Sequence, residues 1–278
     1  MIYLLGASHI MAILDACAAA GPPSAVPTFG QGDAPAFREC ALREGLLPDR
    51  LKVASIHVSH TAPFWGPALV EMQPQGQLGI AAGFQALLAS ANADASCHTL
   101  FVSLRGEEYF NLGLAGVDDP FDFILPQRPD LPLLPGRAMI PLEVVQAQLE
   151  KQLSRTLLTL TAIAKLCPRL RVVRIPSPPP ASSEDVAAWA ATRDQPERIH
   201  KVPTSVRLKL WLLYDGLSAQ FSTGLAIDSL PVPEQAVHRL GTLKAEYLQD
   251  GIHGNARYGA LVCAQMATVV SHAMKGAL

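Results

Sequence analysis

Ser8 stands in Leu4-Leu5-Gly6-Ala7-Ser8-His9, where an apolar run breaks on a glycine. Near the other end of the chain, Asp250-Gly251-Ile252-His253-Gly254-Asn255 sets a carboxylate three residues before a histidine. A serine hydroxyl attacks an acyl carbon once a base removes its proton, and histidine serves near neutral pH when a carboxylate fixes its tautomer. A serine at a helix N-terminus gains further help, because free backbone N–H groups there can stabilise an oxyanion. The chemistry these residues could do together is acyl transfer to water or to another hydroxyl. It requires a fold that brings the two chain ends together. Taken singly, each motif has a plainer reading: a serine after glycine is most often an N-cap, and Asp-x-x-His is a common surface pattern.

The elements around them are consistent with a shared rim. Ile2–Leu5 reads as a strand stopped by Gly6, and Ile10–Ala20 as a helix with Ser8 at or near its N-cap. Gly21–Asp33 is rich in Pro and Gly and reads as loop. Leu51–Val58 is a second strand candidate, Ala62–Gly79 is irregular, and Gly79–Ala93 has apolar residues at helical spacing. Thr99–Leu104 is a third strand, and the proline-rich stretch Leu112–Pro141 reads as a lid or an ordered insertion. A long helix over Pro141–Leu166, a fourth strand over Leu170–Ile175, helices over Ser183–Ala191 and Thr204–Ser222, a fifth strand over Leu225–Ser229 and a closing helix over Tyr258–Met274 follow. Strands alternating with helices predict a single α/β domain over 1–278 with a mainly parallel five-stranded sheet. Ligands of such sheets sit beyond the carboxyl ends of the strands, where Ser8 and Gly106–Tyr109 both fall.

With 278 residues and 49% hydrophobic content, the chain can bury a full core. A net charge of −2 and the lack of any Lys/Arg-dense block argue against nucleic acid as a partner. The five cysteines are scattered with no C-x-x-C spacing, which fits buried thiols in a reducing compartment. The first sixteen residues carry no Lys or Arg, and His9 and Asp15 interrupt the apolar run, so no secretory signal is expected. No stretch reaches a membrane span. The expectation is a soluble, cytoplasmic protein without a membrane partner.

The ordered set of blocks resembles the SGNH, or GDSL-like, serine hydrolases. Gly6-Ala7-Ser8-His9 is similar to their Gly-Asp-Ser block, with Ala7 where the family usually has Asp. Asp250-Gly251-Ile252-His253-Gly254-Asn255 resembles their closing Asp-x-x-His block and is the most specific match. Arg171-Val172-Val173-Arg174-Ile175, running into Pro176, is similar to one of their late strands. The resemblance implies a flavodoxin-like three-layer α/β/α fold, with Ser8 as nucleophile, His253 as base and Asp250 as its orienting acid. The reading that follows is of an enzyme with a small ester or acylated carbohydrate as partner, and no cofactor or metal is expected. Two blocks depart from the pattern. Where the family has Gly-x-Asn-Asp, this chain reads Gly106-Glu107-Glu108-Tyr109. An ionised Glu108 would repel an oxyanion, so either its carboxyl is kept neutral, or Asn111 or Arg105 donates instead, or catalysis is weak. The second block, a glycine donor after strand two, has Ser59, His60 and Gly66 as candidates. The pocket set is therefore Gly6, Gly66, Gly106, Glu108 and Asn111. An acyltransferase using the same triad and a binding module on a decayed hydrolase scaffold are the rival readings.

Other residues admit two readings each. His57 and His60 could suggest metal ligands, but an i, i+3 pair on a strand points to opposite faces and no carboxylate or cysteine cluster accompanies it. His9 is either a pocket residue or a hydrogen-bonding group at the helix start, the latter being favoured. Glu107, Glu108 and Tyr109 form either a sugar-binding edge or a solvated loop. Phe64 and Trp65 line a pocket or pack in the core. Trp189 and Trp211 are expected in the core, and the basic run Arg198–Lys209 on the wet face of a helix.

Overall fold

The computed structural model describes residues 1–17, 28–29, 38–39, 53–58, 69–72, 74–104, 108–109, 121–192 and 202–275. At its centre lies β1 (Ile2–Gly6), buried along its whole length. It runs parallel to β4 (Val53–Val58) on one side and to β7 (Thr99–Ser103) on the other, with Gly6 level with His57 and Ser103. Beyond β7 lie β10 (Arg171–Arg174) and then β11 (Asp228–Ser229), both parallel. A strand covered on both faces reads as an unbroken apolar run, which is why Ile-Tyr-Leu-Leu announces β1. By rank in the chain these five strands lie in the order 2-1-3-4-5, the doubly wound arrangement of flavodoxin-like folds. The order reverses between β1 and β7, so the crevice at their carboxyl ends is the switch point.

The sheet is wider than the five strands expected. The two-residue strands β2 (Thr28–Phe29, parallel) and β3 (Arg38–Glu39, antiparallel) both pair with β4. β2 lies within a stretch read as loop. Two-residue strands have no periodicity to detect and depend on β4 as a template. Likewise, the irregular stretch before residue 80 contains the antiparallel pair β5 (Val70–Met72) and β6 (Leu78–Ile80). Gly76, at a φ of 75°, turns the chain between them.

Helices cover both faces. Ile2, Leu4, Phe101 and Val173 point to the side of α1 (Ile10–Cys17) and α6 (Ala256–Lys275). Tyr3, Leu5, Leu100, Val102 and Val172 point the other way, toward α2 (Ala82–Ala93) and α3 (Leu142–Leu166). The period-2 alternation of each strand thus divides the core into two layers. The short helix α4 (Ser183–Ala190) starts at Ser182, whose hydroxyl accepts from the Asp185 N–H at 3.0 Å.

A third apolar cluster joins Phe123, Leu125, Leu149, Leu153, Leu208 and Trp211, locking residues 121–141 onto α3 and α5 (Thr204–Gly224). That segment is ordered and contains β8 (Phe121–Asp122) paired with β9 (Ala138–Met139). Here the expectation of a wet basic helix face fails. Arg207 and Lys209 are each 1% exposed. Lys209 Nζ donates to Asp122 Oδ1 at 2.8 Å and to the Pro132 carbonyl at 2.9 Å. Arg207 donates to the carbonyls of Val202 at 3.0 Å and Ala181 at 2.8 Å, and burial lowers its pKa to about 10. The 121–141 segment and the run before α4 pack on the side of α5 that its sequence marks as polar.

Candidate functional site

Gly6 closes β1 where no side chain fits: a Cβ there would collide with Ile10 and lie 2.6 Å from the Ser103 carbonyl oxygen. The next residues form a tight turn into α1. Ala7 N–H donates to Ser103 O at 2.9 Å, Ile10 N–H to Ala7 O at 3.1 Å and Met11 N–H to Ser8 O at 3.1 Å. Ser8 is thereby held at the carboxyl end of the central strand, half-buried, at the switch point of the sheet.

The second segment folds through its own side chains. Asp250 Oδ1 accepts the N–H groups of Ile252 and His253, both at 2.8 Å, the self-bonding turn that Asp favours. Asp250 Oδ2 is left facing His253 Nδ1 at 2.8 Å. Asn255 Oδ1 accepts from Arg257 N–H at 2.9 Å and Tyr258 N–H at 3.3 Å, starting α6, while its Nδ2 donates to the carbonyls of Glu246 and Leu248. Gly251 lies under the Trp189 ring, where a Cβ would come within 2.6 Å of Cε3.

The two segments meet. His253 Nε2 lies 2.9 Å from Ser8 Oγ across 245 residues of sequence. What aligns them is a helix crossing: a Cβ on Gly259 would overlap the Ala12 carbonyl, so α1 and α6 touch backbone to backbone one turn inside each helix. Farther along the same pair of helices, Cys17 Sγ and Cys263 Sγ are 3.4 Å apart. Cys17, Cys97, Cys167 and Cys263 are all free and buried, as the spacing of the cysteines suggested, and Cys40 lies outside the described residues.

The electrostatics fix the proton positions. Burial pushes the Asp250 carboxyl up, but the His253 ring and the two backbone N–H groups outweigh it and bring its pKa to about 2. An ionised Asp250 accepts only, so His253 Nδ1–H is the donor in that bond, which turns Nε2 toward the Ser8 hydroxyl. The arrangement can draw the serine proton onto the imidazole and leave Oγ as a nucleophile.

Of the other candidates, Glu108 is 1% exposed, and Thr156 Oγ1 on α3 donates to its Oε1 at 3.0 Å. Tyr109 is 2% exposed and packs against Tyr214, with ring centroids 5.8 Å apart. Glu108 and Tyr109 therefore offer no sugar-binding edge, because Thr156 and Tyr214 draw both side chains into the interior. Gly66, Gly106, Glu107, Asn111, Arg105, Ser59, His60, Phe64 and Trp65 lie outside the described residues. Trp211 is buried and donates from Nε1 to Ser177 Oγ at 3.3 Å, as a core tryptophan should, whereas Trp189 caps the Asp250–His253 turn. Beyond the ends of β7 and β10 is a recess lined by Val102, Leu104, Arg174, Ser177, Tyr214 and Ser218. Arg174 at its edge donates to Asp215 at 2.8 Å. Among the described residues no cluster of His, Cys, Asp and Glu could hold a metal ion, and no helix is long and apolar enough to cross a membrane.

Sequence reasoning did not assign the contact between His9 and His253, whose ring centroids are 5.0 Å apart. It also missed the roles of Asn255, Gly259 and Trp189. Glycine and asparagine flanking the Asp-x-x-His motif were the available signal for Asn255. Nothing in the local sequence pairs residue 259 with residue 12.

The class of structure is thus an α/β doubly wound sheet with Ser8, His253 and Asp250 hydrogen-bonded in a row at its switch point. Among solved structures the chain is similar to Est24, a carbohydrate acetylesterase from Sinorhizobium meliloti, at 10% identity and a TM-score of 0.39, covering 98% of each chain. It is also similar to a protein provisionally described as a platelet activating factor from Streptococcus pneumonia, at 16% identity and a TM-score of 0.32, covering 64% of this chain and 86% of that one. No protein-family model matches the chain, and no curated protein matches it.

Proposed function

We propose that this chain is a serine ester hydrolase of the SGNH, or GDSL-like, type acting on a small ester, with O-acetylated carbohydrates as the substrate class to assay first. The observation that carries the reading is the continuous relay from Ser8 Oγ to His253 Nε2 at 2.9 Å and from His253 Nδ1 to Asp250 at 2.8 Å. Ser8 Oγ attacks the ester carbonyl carbon as its proton passes to His253, and Asp250 stabilises the imidazolium. The tetrahedral intermediate collapses when His253 returns that proton to the departing alcohol oxygen, leaving an acyl-Ser8. Water, deprotonated by the same imidazole, then releases the carboxylic acid. The Ser8 N–H supplies part of the hole for the developing oxyanion.

The remaining donors are the less ordinary part of this reading. With Glu108 engaged by Thr156, the position that supplies an Asn donor in the resembling family is occupied by an inward-facing carboxyl. Loss of one such donor costs roughly 100- to 1,000-fold in rate, so turnover slower than that of a complete hole is expected. The same observation favours the second reading, a binding module on a decayed hydrolase scaffold. The deciding experiment is labelling with a fluorophosphonate alongside p-nitrophenyl acetate hydrolysis. Modification of Ser8 in the wild type, with labelling lost and turnover reduced about 1,000-fold or more in Ser8→Ala, is the expected result. An unlabelled wild type at every pH tested supports the binder. Faster transfer of acetyl to a sugar hydroxyl than to water would move the assignment to an acyltransferase.

A further inference from the structure

His9 follows the candidate nucleophile directly, and its ring lies beside the His253 ring with centroids 5.0 Å apart and planes inclined by 47°. The geometry points to His9 as a positioning residue that holds the His253 imidazole in the plane where it meets both Asp250 and Ser8. The inference rests on the reading of these three residues as a catalytic relay, and adds to it a fourth side chain.

The argument starts from what the relay's own hydrogen bonds can restrain. Hydrogen bonds to Nδ1 and Nε2 are strongest in the imidazole plane, so such bonds set the direction of the ring within that plane and resist displacement out of it only weakly. The His253 side chain is 24% exposed, so packing encloses it only in part. The neighbouring His9 ring adds a restraint of a different kind, a tilted ring-to-ring contact that is attractive as well as bulky. His9 can do this because its own backbone is anchored. It sits in the turn held by Ala7 N–H to Ser103 O at 2.9 Å, Ile10 N–H to Ala7 O at 3.1 Å and Met11 N–H to Ser8 O at 3.1 Å. The nucleophile and the ring that steadies its base are adjacent residues of one rigid turn, so any shift of that turn carries both together.

Ring packing and proton chemistry make different demands at this position, and two variants separate them. In His9→Ala the ring is lost, and kcat is expected to fall about 10- to 100-fold with KM changing less than about twofold, the loss typical of a misplaced catalytic group. In His9→Phe the ring remains without its nitrogens, and kcat is expected to stay within about threefold of the wild type. A second measurement reads the imidazole without any substrate: the proton NMR resonance of His253 Nδ1–H, assigned by its absence in His253→Asn. Slow exchange of that proton in the wild type and in His9→Phe, with rapid exchange in His9→Ala, supports the assignment, and thermal unfolding shows whether each variant is folded. Unchanged kcat and an unchanged resonance in His9→Ala overturn it, as does a His9→Phe variant as impaired as His9→Ala. If the wild type neither hydrolyses esters nor accepts the fluorophosphonate, it is the catalytic reading that fails, and the exchange of the His253 proton alone then decides whether His9 positions the ring.

Discussion

Asp250 illustrates how one side chain can organise both a turn and a relay. One of its oxygens closes the Asp250–His253 turn on two backbone N–H groups while the other orients the imidazole. Its pKa of about 2 lies below the ordinary carboxylate value. Because the folded-state pKa is the lower one, the ionised group contributes stability that is fully present above about pH 4 and is lost as the pH falls through about 2. The difference in unfolding free energy between wild type and Asp250→Asn should therefore be large at pH 6 and shrink toward pH 2, as followed by urea denaturation. Asp250→Asn should also lower kcat about 1,000- to 10,000-fold, since an amide in that place permits the wrong imidazole tautomer. An acid limb in the pH–rate profile above about pH 3 must belong to some group other than Asp250. A second residue-scale expectation concerns the buried Glu108. Thr156→Val removes the donor to its Oε1 and should destabilise the fold by about 1–3 kcal/mol, measured by the same denaturation. The types and spacing of Ser8, Asp250 and His253 were legible in the sequence. The inward turn of Glu108 was not, because its partner Thr156 is 48 residues away on another element.

At the scale of elements, the crossing of α1 and α6 decides whether the relay exists. Ser8 lies just before one helix, separated from it by His9, and His253 lies shortly before the other, and Gly259 lets the two backbones touch at Ala12. In an isolated helix, Gly→Ala would be favourable by roughly 1 kcal/mol. Here the added methyl has nowhere to go, so Gly259→Ala should instead be destabilising, by about 1–3 kcal/mol as an overpacked contact. It should also reduce ester turnover at temperatures where the variant is still folded, checked by thermal unfolding and p-nitrophenyl acetate hydrolysis. A variant as stable and as active as the wild type would remove the crossing from the account. The strands and helices that surround this contact were largely readable from the chain, since β1, β4 and β7 are short and mostly apolar, β10 centres on Val172-Val173, and α3, α5 and α6 fall where helices were read. The two-residue strands β2 and β3 were not, because strands of that length exist only by pairing with β4.

For the whole molecule, the segment 121–141 is joined to the doubly wound body by a buried ion pair. Lys209 and Asp122 are 1% and 0% exposed in their side chains, and Asp122 also accepts from the N–H groups of Phe123 and Leu134. Lys209→Met strands a buried carboxylate and should cost about 3–5 kcal/mol, whereas pairing it with Asp122→Leu should recover much of that loss. Denaturant midpoints of the single and double variants test this, and equal midpoints for both would contradict it. Sequence patterning read Lys209 as solvated because a lysine at helical spacing ordinarily is; only the packing of 121–141 against α5 reverses that expectation. The same division holds for the protein at large. The order of strands and helices, the α/β class and the residue types able to carry acyl-transfer chemistry are determined locally, by apolar periodicity, turn residues and side-chain functional groups. The meeting of residue 8 with residue 253, the burial of Arg207 and Lys209 and the ring of His9 beside that of His253 were decided by tertiary structure alone, because each depends on the separation of elements that no local pattern encodes.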